Sequence, residues 1–268
     1  MRSGLDRRAN VEAARRLIAQ AAAQGAQFVV TPEMTNVLDR DAERLYANLE
    51  PEAAMLEIAA FAETARALSI WLLIGSMAVK SGERRAANRS FLFAPDGRIA
   101  ARYDKIHRFD VQLPGGETWR ESKLYDAGDS GVAVATPLAK LGLTVCYDLR
   151  FPHLYRELAR AGAEVLCVPS AFTRQTGEAH WHTLLKARAI ECGAFVIAAA
   201  QGGVHEDGRA TYGHSLIIGP WGEILAEAGH AEPGVIMAEI ELEKSAEARA
   251  RIPSLSLENF ISVRTVTA

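Results

Sequence analysis

Residues 25–32 read GAQFVVTP, and residues 162–169 read GAEVLCVP. In each, a glycine fit to end a helix precedes a short apolar run that a proline closes. Two more pairs occur in the same order. ARALSIWLLIGS (65–76) matches ARAIECGAFVIAAA (187–200), and SFLFAPDGRIAA (90–101) matches SLIIGPWGEILA (215–226). The chain therefore carries an internal repeat of helix, strand and strand. Strands this apolar, unbroken by polar residues, need cover on both faces. Two such halves can stack sheet on sheet with their helices outside. The predicted fold class is α/β, a four-layer α-β-β-α sandwich with an internal pseudo-twofold repeat, in one domain spanning residues 1–268.

Working outward, residues 7–24 are rich in Ala and Arg with apolar positions at helical spacing, and Gly25 stops them. Residues 51–68 read as a helix with Pro51 at its permissive start. IWLLIGSMAV and RSFLFAP are strands joined around SGER, and Pro95-Asp96-Gly97 is a tight turn. Residues 104–130 are polar, rich in Gly and Pro and poor in periodicity, and a loop that long inside a domain points to function. Strands are then expected at GVAVATP, KLGLTVCY, AEVLCVP and AFVIAAA, with helices at HLYRELARAG and 178–191. A hairpin around Pro220-Trp221-Gly222, a strand GVIMAEIE and a helix over 243–251 complete the chain.

Bulk properties exclude several classes. The chain has 268 residues, 49% hydrophobic and 24% charged, with a net charge of -3. The composition is that of a globular protein with a large core. The charge balance offers no basic surface for nucleic acid. No apolar run approaches the ~20 residues that span a bilayer, and MRSGLDRRAN lacks a signal-peptide core. The three cysteines, Cys146, Cys167 and Cys192, are odd in number and lack metal-ligand spacing. That suits the cytoplasm and argues against a disulfide framework.

Three side chains stand out for chemistry. Cys146 lies in LTVCYDLRFP, between a strand and a helix expected near Pro152. Such a corner projects a side chain from a sheet edge, and a helix start favours a thiolate. A buried cysteine can equally be a small apolar filler. Glu33 in VVTPEM ends a buried strand, where desolvation would raise its pKa toward that of a general base. A carboxylate at a helix start is the plainer account. Lys105 in RYDKIHRFD sits at the mouth of the long loop and Glu121 in WRESKLYD lies within it, and each alone reads as a solvated charge. His180 and His182 sit at i and i+2 and face different sides of a helix, unlike a zinc pair. Neither Gly115-Gly116 nor Gly202-Gly203 fits a phosphate cradle.

Taken together, these motifs give the chain a strong likeness. It resembles the nitrilase superfamily of carbon-nitrogen hydrolases over nearly its whole length. The matching runs are, in order, VVTPEM, RYDKIHRFD, Glu121-Ser122, LTVCYDLRFP, PSAF, TGEAHWHTLLKARAIE, VIAAAQ, YGHSLIIGPWGEILA and a closing IP. The resemblance implies the same sandwich, a Glu33-Lys105-Cys146 triad and Glu121 as an accessory carboxylate. CYDLRFP, PSAF, AHW and KARAIE look most like the nitrilase-like amidase branch, closest to the deaminated glutathione amidases. Omega-amidases acting on α-ketoglutaramate and N-carbamoyl hydrolases are the alternatives. A non-catalytic scaffold would have no need of all four polar residues.

In the implied mechanism Cys146 forms a thioester with the acyl group of a small carboxylate-bearing amide. The backbone N–H of Tyr147 assists Lys105 with the oxyanion, and neither a metal nor an organic cofactor is required. Arg174, in the loop after PSAF, is the expected carboxylate contact. Arg150 reads as structural, paired with Asp148 or a neighbouring chain. Family members open with a buried strand that would end where Met1 falls. The tail SLSLENFISVRTVTA departs from the usual charged ending, and family tails cross to a partner subunit. A homodimer or higher homo-oligomer is expected.

Overall fold

The structure, a computed structural model, describes residues 1–257 and 261–267. Helix α1 (Arg7–Ala23) starts on Asp6, whose side chain accepts from the N–H groups of Arg8 and Ala9. It ends before Gly25, which turns the chain at φ +97°. Helix α2 (Ala42–Ala47) is short, and helix α3 (Leu56–Leu68) follows a single 3-10 turn after Pro51.

The first sheet contains β1 (Phe28–Val30), β2 (Trp71–Gly82), β3 (Arg85–Phe93) and β4 (Ile99–Asp104), in that order. A hairpin follows, β5 (Asp110–Gln112) with β6 (Thr118–Arg120). The second sheet uses β7 (Val132–Ala135), β8 (Lys140–Leu143), β9 (Val165–Cys167) and β10 (Phe195–Ala198). After a second hairpin, β11 (Gly202–Val204) with β12 (Ala210–Tyr212), that sheet gains β13 (Leu216–Ile218) and β14 (Ile224–Glu227). Its order is β14-β13-β10-β9-β8-β7. Helices α4 (Pro152–Arg160), α5 (Arg174–Cys192) and α6 (Glu243–Arg251) complete the described elements.

The repeat read in the sequence is a repeat of topology. Strand β1 runs parallel to β2, while β2–β3 and β3–β4 are antiparallel. Strands β9, β10, β13 and β14 reproduce those three relations. The register agrees as well, since Phe28 opposes Trp71 as Val165 opposes Phe195.

Alternation on β2 and β3 explains the layering. Trp71, Leu73 and Leu92 face the second sheet, in the cluster that also holds Leu141, Val165 and Phe195. Leu72, Ile74, Phe91 and Phe93 face the other way, onto Val11, Ile18 and Phe61 of α1 and α3. Leu154 and Tyr155 of α4 and Trp181 and Leu185 of α5 cover the far side of the second sheet. Both faces of each central strand are thus apolar, with a period of 2 hidden inside an unbroken apolar run.

Several local expectations change. Residues 234–241 lie outside any ladder, because an extended segment is a strand only when a neighbour meets its backbone groups. A cavity of about 740 Å³, lined by Phe28–Val30, Met1 and Val235–Ile240, separates it from β1. The strand expected through Cys146 stops at Leu143, and residues 104–130 fold into the β5–β6 hairpin rather than a bare loop. The tail from Ser254 falls partly on 258–260 and 268, outside the described residues. Among the described residues no helix is long and apolar enough to cross a membrane.

Candidate active site

Four chain segments converge at one edge of the two sheets. Glu33 follows β1, and the backbone there lies directly on β2 at Gly75. Any Cβ on Gly75 would collide with the carbonyl oxygens of Thr31 and Pro32. Lys105 follows β4, its N–H held by the Asn88 carbonyl at 3.0 Å. Glu121 opens a 3-10 turn after β6, and Cys146 opens another, Cys146–Arg150, before α4. Cys146 has φ +49°, in the left-handed region that side chains other than glycine's avoid. Its N–H donates to the Pro169 carbonyl at 2.9 Å, which fixes the corner.

The side chains meet in a buried knot. The Lys105 ammonium lies 2.9 Å from Glu33 Oε1, and 3.0 and 2.9 Å from the two oxygens of Glu121. The Cys146 thiol sits beside the Glu33 carboxylate, close enough for each to shift the other's proton affinity. Glu33 Oε2 accepts the Ala171 N–H at 2.8 Å, and Glu121 Oε2 accepts the Phe109 N–H at 2.5 Å. Asn88 Nδ2 joins the two carboxylates, at 2.9 Å from Glu33 and 3.2 Å from Glu121. Asn88 was not foreseen from sequence, and neither was the Ala171 N–H. An asparagine inside an apolar strand was the available signal, since a buried amide needs partners.

The charges settle in an order that sequence reasoning misjudged for Glu33. Burial alone would push Glu33 up. The Lys105 charge and the bonds from Cys146, Lys105 and Asn88 outweigh it and hold the carboxyl below its ordinary value. Burial and the Glu33 charge push the Cys146 thiol well up, against the pull of Lys105. Burial disfavours the Lys105 ammonium, but Glu121 and Glu33 keep it charged well past the usual lysine range. At neutral pH the cluster is thus a thiol, a carboxylate base and an ammonium.

A cavity of about 410 Å³ opens onto this cluster. Tyr147 lines it, with its ring edge-on to Phe109 at 5.1 Å. Arg174 does not line it. It is the first residue of α5, exposed, and its Nε pairs with Glu178 at 2.9 Å one turn along the same helix. Arg150 does not pair with Asp148. Its guanidinium covers the Phe172 ring at 5.3 Å, while buried Asp148 accepts from Tyr103, Val145 and the His107 N–H. Outside the cavity lining, His182, His214 and Glu227 bring one ligand atom each to within 4.8 Å of one another. This is the grouping among the described residues with the donors to hold a metal ion, and Glu227 bridges the two rings at 2.9 Å.

With the geometry in place, the chain can be compared with known proteins. The carbon-nitrogen hydrolase family model matches residues 1–250. Deaminated glutathione amidase of Synechocystis sp. is 42% identical over 257 residues, covering 94% of this chain and 93% of the relative. The Homo sapiens enzyme of that name is 39% identical, covering 92% and 77%. Among solved structures, the C. elegans NitFhit protein superposes with a TM-score of 0.87 at 35% identity, covering 96% of this chain and 63% of that one. Saccharomyces cerevisiae Nit3, of the nitrilase superfamily, gives 0.83 at 29% identity, covering 94% and 90%. An amidase mutant of Nesterenkonia sp. AN1, described with acrylamide added at its active-site cysteine, gives 0.78 at 25% identity, covering 96% of each chain. A family match over nearly the full sequence, together with this fold, makes the chain a member of the carbon-nitrogen hydrolase family.

Proposed function

We propose that this hydrolase cleaves the amide of a small carboxylate-bearing substrate, deaminated glutathione, through a thioester on Cys146. The observation that carries the reading is the buried contact set of Glu33, Lys105, Glu121 and the Cys146 thiol at a substrate-sized cavity. As sulfur attacks the carbonyl carbon, its proton passes to Glu33. The tetrahedral oxyanion lies against the Lys105 ammonium and the Tyr147 N–H. A lysine ammonium has three donors. One bond to Glu33 and one shared between the Glu121 oxygens leave the third for the oxyanion. Each such donor lowers the barrier by about 3 kcal/mol. Collapse breaks the carbon–nitrogen bond while Glu33 returns the proton to the leaving nitrogen. Glu33 then takes a proton from water as the hydroxyl adds to the thioester. The products are a carboxylic acid, the free amine and the restored thiol. Glu121 orients Lys105.

The names of the Synechocystis and human relatives favour deaminated glutathione as the substrate. The test compares kcat/KM for deaminated glutathione with that for α-ketoglutaramate, alongside Cys146→Ala. The expected result is a higher value for deaminated glutathione and no turnover in the variant. A higher value for α-ketoglutaramate would make the chain an omega-amidase. Undiminished turnover by Cys146→Ala would end the thioester reading. We also place the protein in the cytoplasm, which suits its three unpaired cysteines. We further propose a homodimer or higher homo-oligomer, in keeping with exposed Trp221 and Ile190. A solution mass of 29.0 kDa by light scattering would refute that.

A further inference from the structure

Away from the Cys146 cluster, the cavity wall carries two arginines, Arg209 and Arg40. Arg209 lies in the β11–β12 hairpin, with its guanidinium carbon 4.4 Å from the centre of the Trp119 ring. Arg40 covers the same ring at 5.6 Å, and all three residues line the cavity. Trp119 is itself held by a bond from its ring N–H to Glu117 at 3.0 Å.

The nearby acids answer these two charges only in part, for Arg209 keeps a 3.6 Å ion pair with Asp207. Asp39, beside Arg40, is engaged by Arg44 through two bonds of 2.7 Å. Asp207 spends one oxygen on the Arg209 backbone N–H at 2.9 Å. Its other oxygen stays 3.6 Å from Arg209 Nε, and both of those atoms are buried without a hydrogen-bond partner. A side-chain guanidinium offers five N–H donors in a fixed fork that matches a carboxylate. Here the guanidinium lies over an indole, is ion-paired to Asp207 without a hydrogen bond at Nε, and lines the cavity. Arg40 is exposed and adds charge at the rim.

We propose that Arg209, with Arg40 beside it on Trp119, forms a carboxylate subsite that fixes the substrate. It replaces Arg174 in that role, and it rests on the amidase reading above. The carboxylate belongs either to the acyl part or to the amine part of the amide.

The test uses the whole enzyme and three amides. Glutaramate carries its carboxylate on the acyl side, N-butyrylglycine on the amine side, and butyramide carries none. For Arg209→Gln, the ratio of kcat/KM for the anchored anionic amide to that for butyramide should fall at least about 30-fold, the size of one or two charge-assisted hydrogen bonds. Arg209→Lys should recover part of that loss, and Arg40→Ala should show a smaller fall. The arm that drops names the side that binds. Because each ratio is internal to one variant, partial unfolding does not imitate the effect. A ratio within about 3-fold of wild type in both anionic arms would overturn the proposal. Glutarate should also slow alkylation of Cys146 by iodoacetamide in wild type, and do so far less in Arg209→Gln. That readout needs no turnover, so it separates failure of this subsite from failure of the amidase reading. Equal protection of the two proteins would overturn the subsite.

Discussion

Glu33 illustrates how a single residue's environment sets the chemistry. Desolvation argues for a protonated acid, yet Lys105, Cys146 and Asn88 act on this carboxyl and together keep it ionised. The consequence is a pH profile. Glu33 must be ionised to take the thiol proton, and its folded pKa lies below the ordinary 4.5. The Cys146 thiol stays protonated past the ordinary 9.0. For an amide that does not itself titrate, kcat/KM should therefore be flat between those values, with its acid limb below 4.5 and its alkaline limb above 9.0. A limb with its midpoint near neutrality would show that the proton sits elsewhere at rest. Stability follows the same signs. The depressed carboxyl contributes stability that is fully present above 4.5 and is lost as pH falls through its folded value. The raised ammonium contributes below 10.5, and that is lost as pH rises through its folded value.

Among the elements, the 3-10 turn that carries Cys146 depends on helix α5. Buried Arg188 donates twice to the Leu149 carbonyl, at 3.1 and 2.8 Å, and its guanidinium covers Tyr155. The turn needs an outside hold, because Cys146 adopts a left-handed conformation that costs about 1–2 kcal/mol. Arg188→Met should therefore lower unfolding free energy by about 2–3 kcal/mol, as a buried carbonyl loses charge-assisted donors. It should also lower kcat more than it raises KM, since the nucleophile's corner loosens while the cavity wall remains. Urea unfolding and steady-state rates on one preparation check both; unchanged kcat at reduced stability would separate the turn from the helix. Sequence legibility divides along the same line. Helices α1, α3, α4 and α5 and the central strands were readable because capping residues, Pro152 and apolar runs are local signals. That Glu33, Lys105, Glu121 and Cys146 belong together came from the family resemblance, since no spacing brings residues 33 and 146 to one point. Arg174 and Arg209 look alike in sequence, as arginines in polar loops. Only the fold shows that one faces solvent at the start of α5 while the other stacks on Trp119.

Over the whole molecule, the two stacked sheets sort three buried thiols into two kinds. Cys167 lies within β9 and Cys192 at the end of α5, both sealed in the large apolar cluster that spans the second sheet. Burial pushes each of them up to about 12. Neither lines the cavity, so a reagent reaches them only when the layers separate. Cys146 is buried as well, but its sulfur neighbours the cavity and a carboxylate base. In the native protein one equivalent of iodoacetamide should label Cys146 alone, and peptide mass spectrometry reads the site. Labelling of Cys167 and Cys192 should rise together with global unfolding in urea, because both thiols belong to one core and open with it. If all three thiols react at one rate in native buffer, the cavity is not the route to the sulfur, and the division of the sandwich into a sealed core and an open edge fails with it.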